Sequence, residues 1–99
     1  MDKKYIVSVG SSYLCELIIT KEIAEMCFHC GNCDNEIKVA KEIPFIREQL
    51  NNLDETLMRN AVSDILGYER VKSMNRSDLE DWILFEGAAL FVDGDYSEF

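Results

Sequence analysis

Histidine is nearly missing from this chain: His29 stands alone among 99 residues. That scarcity removes the His-x-Glu and His-Glu-x-x-His patterns that give a catalytic zinc its ligands and its base. The deaminase signature, a Gly-x-x-x-x-Gly-Lys phosphate loop, a nucleophile elbow and a Ser-His-Asp set are absent too. Pairs can be drawn freely among 19 acids, but no spacing prefers one of them. A non-catalytic protein is therefore expected. Bases are scarce as well, 10 against 19 acids for a net charge of −9. After Arg76 there is no base, only Asp78, Glu80, Asp81, Glu86, Asp93, Asp95 and Glu98. Such a balance argues against tracking phosphates, hence against direct nucleic-acid binding, and favours a protein partner with a basic surface.

Long apolar runs are also lacking, and none reaches membrane-spanning length. The first apolar run is interrupted by Ser8, Gly10, Ser11 and Ser12 before it could serve as a signal-peptide core. The expected location is the cytosol, where thiols stay reduced and two disulfides are disfavoured. No repeat, low-complexity tract or linker divides the chain, so residues 1–99 read as a single domain. At 47 % hydrophobic it can bury a core, yet a chain this short gains from a staple.

The chain does contain an unusual stretch, Cys27-Phe28-His29-Cys30-Gly31-Asn32-Cys33. Two cysteines two residues apart converge on one zinc ion when the backbone turns tightly between them. Cys27-x-x-Cys30-Gly31 has the form of a zinc knuckle, with Gly31 free to adopt positive φ. Cys30-x-x-Cys33 supplies a second, overlapping turn. Cys27, Cys30 and Cys33 are the three expected ligands, with Cys15 first and His29 second as candidates for the fourth. Other readings are buried free thiols, an iron–sulfur cluster without its usual fourth-cysteine continuation, and a redox pair lacking a βαβ setting.

Around that stretch the patterning predicts an α+β fold: an N-terminal β-hairpin packed against four to five short helices, with a zinc-stapled loop. Residues 5–9 and 13–20 read as strands joined by Gly10-Ser11-Ser12, with Tyr5, Val7, Val9 and Tyr13, Cys15, Leu17, Ile19 on the inward faces. Thr20 caps a short helix ending near Phe28, Asp34 caps a second over about 35–43, and Pro44 opens a third. Asp54 starts the most regular helix, which Gly67 stops. The segment 68–76 reads as a connection with a helical turn, and Ser77-x-x-Glu80 as a capping box. Trp82 to Val92 is apolar around most of its circumference, with Gly87-Ala88-Ala89 small enough for a close neighbour and Glu86 as its only charge. Residues 93–99 read as an acidic tail carrying Tyr96 and Phe99.

A short acidic chain with a hairpin, several helices and the Cys27/Cys30/Cys33 cluster resembles the small anti-CRISPR proteins of phages and mobile elements, some of them zinc-stapled, that act on Cas9-type nucleases. The resemblance implies stoichiometric inhibition in the host-cell cytosol by occupying a basic channel or pinning a mobile lobe, so that target DNA does not load. Asp78, Asp81, Asp93 and Asp95, with Tyr96 and Phe99 as anchors, are the expected partner-binding residues. The alternatives are an adaptor or regulatory protein binding through the apolar Trp82–Val92 helix, and a thiol or metal sensor. Acidic contacts weaken with salt whereas apolar ones do not.

Overall fold

The computed structural model describes residues 3–28 and 33–99. In chain order it contains β1 (Tyr5–Val9), β2 (Cys15–Ile19), α1 (Lys21–Cys27), α2 (Cys33–Lys41), α3 (Pro44–Asn52), α4 (Glu55–Leu66), α5 (Tyr68–Val71), α6 (Arg76–Val92) and β3 (Ser97–Glu98). The fold is α+β, with the expected hairpin. Among the described residues there are six helices and a third strand, which completes an antiparallel sheet of order β2-β1-β3.

Alternation along the hairpin sets its inner face. Val7 lies opposite Leu17 and Val9 opposite Cys15, and Val7, Val9, Cys15, Leu17 and Ile19 are buried. Tyr13 does not share this face as expected; it precedes β2 and is 51 % exposed. The loop before it is fastened by α4, because Asp64 accepts hydrogen bonds from the peptide N–H groups of Ser11, Ser12 and Tyr13 at 2.9–3.1 Å. Gly10, at φ +112°, has no room for a side chain here: a Cβ would come within 2.0 Å of the Tyr13 carbonyl oxygen. On the far side of β2, the Gln49 side-chain amide bonds both the N–H and the C=O of Ile18 at 2.8 Å. A side chain thus stands in for a neighbouring strand and blunts that edge.

The caps decide where the helices begin. Thr20 caps α1 through Ile23 N–H and Asp54 caps α4 through Leu57 N–H, both as expected, and Pro44 is the first residue of α3. Gly67, at φ +92°, ends α4. Two caps differ. Helix α2 starts at Cys33, which places Asp34 inside the helix rather than ahead of it. Helix α6 is capped by Asn75, whose side chain accepts from Asp78 N–H at 2.8 Å, so Ser77 and Glu80 form no capping box.

Glu80 faces inward instead. It is 5 % exposed and meets Arg47, Lys41 and Arg76. Lys41, also buried, donates to Ser77 Oγ at 3.0 Å and to Asp81 at 2.9 Å. Arg76 donates to the carbonyls of Leu50 and Leu53, near the end of α3. A buried carboxylate is tolerated only with partners of this kind, and removing one partner typically costs about 3–5 kcal/mol. These contacts tie α2 and α3 to the first turns of α6.

Helix α6 is the central element, packing on α1, α2, α4 and both long strands. Ile83, Leu84, Gly87 and Ala88 are buried along it. A Cβ at Gly87 would lie 3.1 Å from Val7 and 3.2 Å from Leu17. The expected close approach is therefore made, and the sheet is what approaches. No helix among the described residues is long and apolar enough to cross a membrane.

Candidate functional site

The cysteine stretch lies between two helix ends. Cys27 is the last residue of α1 and is fully buried, and Cys33 is the first residue of α2. His29 and Cys30, expected with them as ligands, lie outside the described residues. Helices α1 and α2 pack on each other and on α6, so both ends of the stretch are anchored to the same core. Among the described residues no group of three or more His, Cys, Asp or Glu side chains is arranged to hold a metal ion.

Cys15 sits elsewhere on the framework, on the inward face of β2 opposite Val9. Burial, with the Asp54 carboxylate as a lesser cause, pushes its thiol up to about 11. At neutral pH that thiol is protonated and occupies the core as a small apolar group. Ligation would require it to surrender a proton that its surroundings hold.

The acidic residues expected to meet a partner separate into two places. Asp78 and Asp81 are in the first turns of α6, and Asp93 caps its far end. Fifteen residues of helix put Asp78 and Asp93 about 22 Å apart. Asp81 is also engaged within the fold, through Lys41. At the far end Asp93, Asp95, Tyr96 and Phe99 lie close along the chain, and all four are exposed. The expected acidic tail is partly a strand: Ser97 pairs with Ile6 and Glu98 with Tyr5, and Phe99 N–H donates to Lys4 C=O at 3.0 Å. Tyr96 is fixed by stacking, its ring 4.7 Å from Phe91 and 5.0 Å from Tyr5. Phe99 is 73 % exposed and remains available as an apolar contact.

A second, partly exposed feature lies on the apolar helix that the sequence offers to an adaptor's partner, and one of its rings comes from the end of α1. Phe28 packs on Phe85 at 5.6 Å, and Phe85 meets Trp82 edge-on at 5.9 Å. Beside them Glu86 has no hydrogen bond or ion pair among the described residues, and partial burial raises its pKa. Helical spacing does place Trp82, Phe85 and Glu86 on neighbouring positions of α6, but the contribution of Phe28 depends on how α1 packs.

The fold and these surfaces define a small acidic α+β protein with an aromatic-pinned, carboxylate-rich end. The chain matches no protein-family model, no characterised protein and no solved structure.

Proposed function

We propose that this protein is a non-catalytic binding protein that inhibits a partner stoichiometrically by presenting the far end of α6 to a basic surface. The observation that carries the reading is the combination at that end: Asp93 and Asp95 stand exposed beside Tyr96, whose ring is held against Phe91 and Tyr5. Carboxylates on a preorganised aromatic corner lose little freedom on binding, which favours specific recognition over diffuse attraction. A Cas9-type nuclease, the target implied by the resemblance to anti-CRISPR proteins, is the first partner to test. Zinc held by Cys27, Cys30 and Cys33, with Cys15 or His29 as the fourth ligand, would brace the α1–α2 junction and perform no chemistry on a substrate.

The test is a DNA-cleavage assay with purified Cas9-type nuclease and guide RNA, titrated with the protein and repeated across a salt series. One equivalent should suppress cleavage, binding should weaken as salt rises, and Asp93→Lys with Asp95→Lys should weaken it by about tenfold or more. Undiminished cleavage at excess protein removes the nuclease as target. Unchanged binding by the charge reversals removes the acidic surface.

The adaptor reading draws support from the partly exposed Phe28, Phe85 and Trp82 rings. It predicts binding that is insensitive to salt and lost with Trp82→Ala.

A further inference from the structure

The edge of β1 is only half covered, and the hydrogen bonds show which peptide groups remain exposed. Gln49 reaches both peptide groups of Ile18 from outside the hairpin, so those groups point away from β1. In an antiparallel ladder the opposite residue, Ile6, then points away from β2, toward β3. Ser8, two residues further, points the same way. Yet β3 pairs only with Tyr5 and Ile6. Where a continued strand would meet Ser8 the chain turns into the end of α6, with Gly94 N–H bonded to Phe91 C=O and Asp95 N–H to Leu90 C=O. No described residue pairs with Ser8 on that side.

A cleft of about 540 Å³ lies along this opening. Ile6 and Leu90 give it apolar lining, Ser8 and Ser97 border the strand edge, and its two charged lining residues, Glu16 and Asp95, are both acidic. Glu16 stands directly across the hairpin from Ser8. Lys4, the base closest to Ser8 along the chain, is not part of the lining; its ammonium lies over the Phe45 ring, 5.2 Å from the centroid. An open strand edge supplies main-chain hydrogen bonds, and alternating side chains of an added strand meet alternating surfaces.

We infer that this cleft receives a short extended segment of a basic partner, which adds to β1 beside Ser8 and sets Lys or Arg side chains against Glu16 and Asp95. The inference rests on the acidic-binding reading and narrows it to one groove and one mode of recognition.

The probe is the capped peptide acetyl-Lys-Val-Arg-Val-Lys-amide, titrated into the full-length protein and followed by amide NMR shifts and hydrogen exchange. Shifts should concentrate at Ile6, Ser8, Glu16 and Asp95 to Ser97, and exchange of the Ser8 amide should slow. Methylating the central peptide nitrogen should weaken binding about tenfold, the worth of one main-chain hydrogen bond. A peptide with Glu in place of the bases should not bind. The methylated peptide needs no protein variant, so misfolding cannot mimic its effect. Equal binding of the methylated peptide overturns the strand-addition mode. Shifts confined to Asp78 and the start of α6 overturn the cleft while leaving acidic recognition intact. No binding of the basic peptide, with salt-independent binding of the nuclease, overturns both. Concentration-dependent dimerisation that protects Ser8 without peptide assigns the edge to a second copy and overturns the partner segment.

Discussion

At the scale of single residues, Asp64 shows how one charge can organise a loop. Its carboxylate collects three peptide N–H groups from Ser11 to Tyr13, and these hydrogen bonds hold its pKa below the ordinary carboxylate value. A carboxylate with a lowered folded pKa stabilises the fold fully above its unfolded value of about 3.9, and that stabilisation disappears as pH falls through the folded value. Asp64→Asn should therefore melt below the parent at neutral pH, and the two should converge as the pH is lowered past about 4. Melting curves over that pH range, followed by circular dichroism, measure this. A constant gap at all pH values would show that the side chain acts by shape and not by charge. Cys15 has the opposite sign, since its raised value favours the neutral thiol and contributes stability below the unfolded cysteine pKa, lost as pH rises through about 11.

At the scale of elements, α6 is fitted to the sheet through Gly87. Glycine in a helix interior costs about 1 kcal/mol against alanine, so its presence needs a packing reason. The 3.1 and 3.2 Å approaches to Val7 and Leu17 supply it. Gly87→Leu should destabilise by about 1–3 kcal/mol through overpacking, measured by urea denaturation, although leucine has the better helix propensity. Stability equal to or above the parent would mean that the hairpin can shift away from α6 at little cost. The same helix shows how a local motif can be overruled. Ser77 and Glu80 have the spacing of a capping box, but Asn75 makes the cap and Glu80 turns to the cations of α2 and α3. Three cationic partners at a buried position outweigh one terminal N–H in water.

For the whole molecule, one core joins the sheet to α6 and the remaining helices, and the cysteine stretch spans two of those helices. A zinc bound there would add its binding free energy to folding. Elemental analysis of untagged protein should give about one zinc per chain, and chelation should lower the melting temperature by roughly ten degrees or more. Replacement of Cys30 by serine should reproduce that loss and make it insensitive to chelator. Metal-free protein with an unchanged melt would return the cysteines to packing or thiol chemistry and remove the staple.

The sequence by itself determined the features that depend on neighbours along the chain: the hairpin and its inward face apart from Tyr13, the caps at Thr20 and Asp54, the start at Pro44, the stop at Gly67, and the apolar character of α6 around most of its circumference. Each rests on periodicity or on a backbone preference that acts over a few residues. The tertiary structure alone decided what distant segments do to one another. It made a strand of Ser97–Glu98, since two exposed polar residues carry no strand pattern until β1 offers its edge. It turned Glu80 inward and engaged Asp81 with Lys41, because charge along a sequence does not say which side chains will find a buried partner. The open edge at Ser8 belongs to the same class, being created where β3 stops and α6 ends, by contacts between residues nearly ninety positions apart.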